Sequence, residues 1–187
     1  MLALIVVVAI AVAAVLMLAG TYNRLVGLRQ RANQAFADID VQMQQRHDLV
    51  PNLVETVKGY AAHEKGALEA VTSARAAATT ATSVEQKVQA ENALTGALRQ
   101  LFAVAEAYPD LKANQNFLGL QSELADIENK LAAARRFFNS AVAEFNAAIQ
   151  QFPAVLVAGS MGFTERTFFD VGADRASVAA APQVKFS

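Results

Sequence analysis

Side chains able to do chemistry gather between Asp38 and Glu64: Asp38, Asp40, Arg46, His47, Asp48, Glu55, Lys58, His63 and Glu64. Carboxylates and imidazoles at this density could serve a zinc hydrolase, a di-iron bundle or an acid–base pair, so their spacing decides. A zinc-protease helix needs His-Glu-x-x-His, which sets two imidazoles on one face with a carboxylate as base. His63-Glu64 is followed by Lys65-Gly66-Ala67, so the second imidazole is missing. A di-iron carboxylate bundle needs Glu-x-x-His twice, but Tyr60 precedes His63 by three and Gln44 precedes His47 by three. A phosphate-cradling loop needs clustered glycines, and Gly27, Gly59, Gly66, Gly96 and Gly119 stand apart. No serine sits in a Gly-x-Ser-x-Gly elbow. The chain has no Cys and two His, which removes thiolate chemistry, disulfides and an all-His metal site within one chain. Its 16 basic and 17 acidic residues leave a net charge of -1 and no basic footprint for nucleic acid. No cofactor, metal, nucleic-acid partner or enzymatic activity is expected.

Two readings of these polar residues remain. In the first they form a solvated helix face, with i, i+3 and i, i+4 ion pairs worth about 0.2–0.5 kcal/mol each. His47 and His63 are then helix-surface residues or interhelical hydrogen-bonding groups. In the second the face meets a partner subunit or lipid headgroups. The candidate contacts are Asp40, Arg46, His47, Asp48, Glu55, Lys58, His63 and Glu64, joined by Arg24, Arg29 and Arg31, which could each gain about 1 kcal/mol against anionic headgroups.

What positions these residues is helix throughout. Met1 to Asn23 carries no charged side chain, and Leu2 to Ala19 is an unbroken apolar run. At 1.5 Å per residue, about 19 residues span roughly 28 Å, close to the hydrocarbon core of a bilayer. Backbone amides in lipid must be satisfied internally, so such a run is helical. A cleaved signal peptide would carry a basic region before the run, and none stands there. A core helix is rarely apolar on every face. Residues 1–21 are therefore read as a transmembrane anchor. Arg24, Arg29 and Arg31 follow it, and the positive-inside rule places the bulk of the chain on the cytoplasmic side of a bacterial inner membrane.

Residues 22–152 show helical spacing and no strand alternation. The first series is Leu25, Leu28, Ala32, Ala35, Ile39, Met43; the next runs Leu53, Val57, Tyr60, then Leu68, Val71, Ala78; a third runs Val88, Leu94, Leu98, Leu101, Ala105, Tyr108. The longest is Phe117, Leu120, Leu124, Ile127, Leu131, Ala134, Phe138, Ala141, Phe145, Ala148, Phe152, in unbroken steps of three and four. That is a bundle or coiled-coil seam, which needs partner helices from this chain or from neighbours. The helix breaks near Thr79–Ser83, where Ser83 is a plausible N-cap, and at Tyr108-Pro109-Asp110, read as a turn. Pro51 marks either a sharp turn or, as favoured here, a bend within one long helix. The fold class is all-α: a transmembrane helix and then an elongated antiparallel bundle of three to four long helices. Pro153 ends the last helix. Residues 153–187 hold Gly159, Gly162, Gly172 and Pro182, yet also Phe163, Phe168, Phe169 and Phe186. Disordered tails are poor in aromatics, so this tail is expected to dock on the bundle or on a neighbour.

Particular stretches then become recognisable: Tyr22-Asn23-Arg24-Leu25-Val26-Gly27, the run Arg46-His47-Asp48-Leu49-Val50-Pro51-Asn52-Leu53-Val54-Glu55-Thr56-Val57-Lys58-Gly59-Tyr60, and Tyr108-Pro109-Asp110-Leu111-Lys112-Ala113-Asn114. With Ala134-Arg135-Arg136-Phe137-Phe138-Asn139, Phe145-Asn146 and the closing Pro182-Gln183-Val184-Lys185-Phe186, the chain resembles the bacterial LemA family along nearly its whole length. Phe138 and Phe145 stand where Tyr is common in that family before Asn. The resemblance implies one N-terminal transmembrane helix, a helical bundle, no established activity or cofactor, and by analogy a part in membrane organisation. Two functions compete. One is a non-enzymatic scaffold that self-associates as a homo-oligomer on the lipid bilayer. The other is an adaptor or sensor that presents its bundle to another membrane protein.

Overall fold

The structure, a computed structural model, describes residues 1–169. Its elements are α1 (Leu2–Lys58), α2 (Lys65–Thr80), α3 (Val84–Ala105), α4 (Pro109–Lys112) and α5 (Gln115–Gln150), followed by a 3-10 turn at Ala154–Leu156. The all-α expectation holds, and the described residues contain no strand. The anchor and the first bundle helix are one helix of 57 residues, with Pro51 inside it. The chain therefore does not turn at Pro51. Gly172, Pro182 and Phe186 lie outside the described residues, which include the expected docking tail only as far as Phe169.

The chain divides into two compact units. The first joins residues 1–42 to residues 130–168. Here α1 and α5 run antiparallel: Phe36 meets Phe138 with ring centroids 5.4 Å apart, and Arg31 Nη1 lies 2.9 Å from Glu144 Oε2. One number falls as the other rises. Between the helices small residues admit large ones. Ala32 and Ala35 are fully buried on α1, while Leu131, Phe138 and Phe145 are buried on α5. Toward the N-terminal side, Leu25 packs with Phe145, Ala148, Ile149, Ala154, Ala158 and Phe163. Further out, the apolar stretch of α1 is exposed along its length among the described residues, and it is long and apolar enough to cross a membrane.

The second unit holds residues 43–129 together with Phe169. Its core joins Val50, Leu53 and Val57 of α1, Leu68 and Val71 of α2, Leu94, Leu98 and Leu101 of α3, Leu111 of α4, and Phe117 and Leu124 of α5. Ser83 caps α3 as expected: its hydroxyl accepts from Gln86 N, and the Gln86 side chain returns to the Ser83 N–H. Pro109 does more than turn the chain. It opens the one-turn helix α4 from its first position, where a missing N–H costs nothing. The sequence reading ran helical spacing through Tyr60 toward Leu68, but the chain leaves the helix at Gly59 and re-enters it at Lys65. That break is held from outside by two hydrogen bonds: Asn114 Nδ2 to Tyr60 Oη at 2.8 Å and Tyr108 Oη to Glu64 Oε1 at 3.1 Å.

Of the large side chains in the α5 seam, Phe117, Leu124, Ile127, Leu131, Phe138 and Phe145 are buried. At about 1.5–3 kcal/mol each they contribute on the order of 9–18 kcal/mol. Leu120 is half-buried and Phe152 is exposed.

Candidate functional site

The α1 series does not stop at Met43. It continues through Arg46, Val50, Leu53 and Val57 in steps of three and four. A guanidinium therefore stands on the buried stripe. On α3 the steps Glu91, Leu94, Leu98, Leu101 and Ala105 put a carboxylate on the buried stripe in the same way. Burying either charge alone is prohibitive, so each needs the other. Arg46 Nη1 donates to Glu91 Oε2 at 2.7 Å. Its Nη2 donates to Thr95 Oγ1 at 2.7 Å and lies 2.8 Å from Glu128 Oε1 on α5. His47 Nε2 lies 2.6 Å from Glu91 Oε1. Since a carboxylate only accepts, that nitrogen carries the proton. Thr95, one turn beyond Glu91, turns its own hydroxyl hydrogen onto the Glu91 carbonyl at 2.8 Å. Arg46 and Glu91 are each 1% exposed, while the Glu128 side chain is 38% exposed, so the cluster has one wet end.

Burial alone would raise the Glu91 carboxyl, but the His47 hydrogen bond and the Arg46 charge together outweigh it and hold the group below the ordinary carboxylate value. Among the described residues Arg46 Nε has no hydrogen-bond partner. Beside the guanidinium opens a groove of about 340 Å³ lined by Thr95, Arg99, Phe102, Gln121, Leu124 and Glu128. Arg75 of α2 supplies a further link. Pro51 has no N–H to return to the His47 carbonyl, and Arg75 Nε donates to that oxygen at 2.7 Å. The arrangement is a hydrogen-bonded polar knot, complete but for Arg46 Nε, that ties α1, α2, α3 and α5 together.

The polar residues from Asp38 to Glu64 are thus not one solvated face. Arg46 and His47 are buried inside the second unit, and their hydrogen bonds go to groups of this chain. Asp48, Glu55, Lys58 and His63 are exposed and Glu64 is half-buried. Asp48 accepts from Gln44 Nε2 at 2.8 Å, Glu55 pairs with Lys58 at 3.3 Å, and Glu64 accepts from Tyr108. A second groove, about 720 Å³, runs along Val54, Glu55, Lys58, Lys65, Leu68 and Thr72. In the first unit Arg24 is exposed, Asp40 is half-buried, Arg29 lies over the Phe163 ring at 5.0 Å, and Arg31 lies over Phe137 while pairing with Glu144. Among the described residues no group of three or more His, Asp or Glu is placed to hold a metal ion. Glu91, Thr95, Glu128 and Arg75 escaped the sequence reading. For Arg46 and Glu91 the signal was a charge on a core stripe.

The curated relatives that the chain matches include two magnetosome proteins. Magnetosome protein MamQ of Magnetospirillum gryphiswaldense is 26% identical over 79% of this chain and 64% of its own length. Magnetosome protein MamQ 2 of Paramagnetospirillum magneticum is 23% identical with the same coverage. The chain therefore spans about 64% of the length of these relatives. The family model described as the LemA family matches residues 35–186, a stretch that contains the Arg46–Glu91–Glu128 knot and both grooves. On that match, over most of its length, the chain belongs to the LemA family.

Proposed function

We propose that this protein is a single-pass scaffold of the bacterial inner membrane, non-enzymatic, with the bulk of the chain on the cytoplasmic side, and that it self-associates through its anchor. The family and the apolar helix support a membrane-associated helical protein. The observation that carries the rest is the bare stripe of α1, apolar from Leu2 to Ala19 and left exposed by the described residues. The seam of α5 was the other candidate for intermolecular packing, but six of its large residues, Phe117, Leu124, Ile127, Leu131, Phe138 and Phe145, are already buried within this chain. Association therefore falls to the anchor. Ala9 and Ala13, four apart on one face, let helix backbones approach closely in lipid. The relatives are named for the magnetosome, which favours a role in membrane organisation.

Crosslinking of the full chain in mild detergent at micromolar concentration tests this. Oligomers that weaken when Ala9 and Ala13 are both changed to Ile support the proposal. Monomers alone would overturn it. The adaptor reading rests on a different observation, the open groove holding Glu55 and Lys58, which has an apolar floor and a charged rim. Ala76 of α2 also lines this groove, and recovery of one stoichiometric membrane protein, lost on filling the groove with Ala76→Trp, would favour that reading over self-association.

A further inference from the structure

We propose that the turn after α5 is a second membrane contact, in which Phe152, Val155 and Leu156 seat in the interfacial zone of the bilayer beside the end of the anchor. The register of the first unit carries the argument. Arg31 pairs with Glu144 on antiparallel helices, and each residue added to one helix climbs about 1.5 Å along the other. Six residues beyond Glu144, Gln150 ends α5 level with Leu25, and Phe152 follows two residues on, in a turn whose Ala154 and Ala158 pack with Leu25, six residues past the apolar run that ends at Ala19.

The chain does not stray from there. Ala154, Ala158 and Phe163 turn inward onto Leu25. Gly162 takes φ 76°, a left-handed conformation open to glycine, and Phe163 N–H closes the turn on the Ala158 carbonyl at 2.9 Å. Tyr22 and Phe163 meet edge to face, ring centroids 5.7 Å apart. On the return, Gln150 Nε2 donates to Glu165 Oε1 at 2.7 Å. A turn pinned this firmly still leaves Phe152 73%, Val155 53% and Leu156 71% exposed. Single exposed apolar residues are ordinary, but three within five positions, on a turn whose Phe163 meets exposed Tyr22 at the end of the exposed apolar helix, form a patch. Tyr at the edge of the span and Arg24 just beyond it are the chemistry of the membrane–water boundary. The occupant this fits is lipid, because the turn packs on Leu25 and Tyr22, residues that follow closely on the stretch the anchor offers to lipid.

The proposal rests on the anchor reading, and the experiment separates the two. The chain has no Cys, so full-length Ile10→Cys, Leu156→Cys and Ser122→Cys variants can each carry one environment-sensitive fluorophore in phosphatidylcholine–phosphatidylglycerol vesicles. The expected result is that the label at 156 behaves like the label at 10. Both are quenched several-fold more by spin-labelled lipid than the label at 122, and both resist aqueous iodide, at any protein-to-lipid ratio. A label at 156 that iodide reaches as freely as at 122, with 10 still in lipid, overturns the second contact and leaves the anchor standing. Iodide access at 10 as well overturns both. Shielding at 156 that fades as protein is diluted in lipid assigns the patch to a second copy and overturns the lipid proposal.

Discussion

Arg46 is held by acceptors from two other helices, Glu91 and Thr95 on α3 and Glu128 on α5, and this determines how the second unit responds to acid. The Glu91 carboxyl is held below its ordinary value of 4.5 in the folded chain: burial opposes ionisation, but His47 and Arg46 outweigh it. A group whose folded pKa is depressed binds fewer protons folded than unfolded. Its contribution is complete above about pH 4.5 and is lost as the pH falls through the folded value. Thermal unfolding of the native chain, followed between about pH 3 and 7, should show this loss on the acid side. Glu91→Gln should cost about 1–3 kcal/mol at neutral pH and flatten the acid limb, because the neutral amide no longer titrates. An acid limb as steep in the variant as in the parent would place the proton uptake elsewhere. Half of this knot was legible in the residues. Arg46 and Glu91 fall on apolar stripes where a charge demands a partner. The pairing itself was not legible, since which carboxylate meets which guanidinium depends on how the stripes face one another. Glu128 has the same type and spacing as a surface residue, and its side chain is in fact partly exposed.

Helix α1 continues through Pro51, which removes one backbone hydrogen bond and leaves the His47 carbonyl free. Arg75 on the neighbouring helix α2 fills the gap. The two features therefore ought to be coupled. Arg75→Ala in the parent leaves a carbonyl without its donor and should cost about 1–3 kcal/mol. In a Pro51→Ala background the helix regains its own N–H donor, so the same Arg75→Ala change should cost at least about 1 kcal/mol less. Additive effects in that double-mutant cycle, read by urea unfolding, would show that the Arg75 contact does not serve the proline gap. The apolar spacing on both sides of Pro51 already pointed to helical continuity. The break after Lys58 was less legible. Gly59 was its one local signal, and the Tyr60 and Glu64 contacts that hold it come from Asn114 and Tyr108, more than forty positions along the chain. A spacing pattern carries no record of such distant partners.

Across the whole molecule the charges are nearly balanced, so orientation in a membrane rests on their local placement. Arg24, Arg29 and Arg31 follow directly on a helix stretch with no charge of its own. In the folded first unit two of these side chains already have partners: Arg29 over Phe163, and Arg31 with Glu144 and Phe137. Those partners lie more than a hundred residues away and are made later than the span itself. During insertion all three arginines are free to bias which end stays behind. On the proposed topology, a Cys placed at Thr82 in the exposed link between α2 and α3 should resist a membrane-impermeant thiol reagent in intact spheroplasts and react once they are opened. Replacing Arg24, Arg29 and Arg31 together with Glu should shift part of the population to the labelled form. Because that triple change also removes the Arg31–Glu144 pair and the two ring contacts, Arg24→Glu alone serves as the control: Arg24 is exposed, so its effect on labelling reports orientation without disturbing those contacts. Labelling of Thr82→Cys in intact spheroplasts with all three arginines in place would put the bundle on the outer face and reverse the proposed orientation.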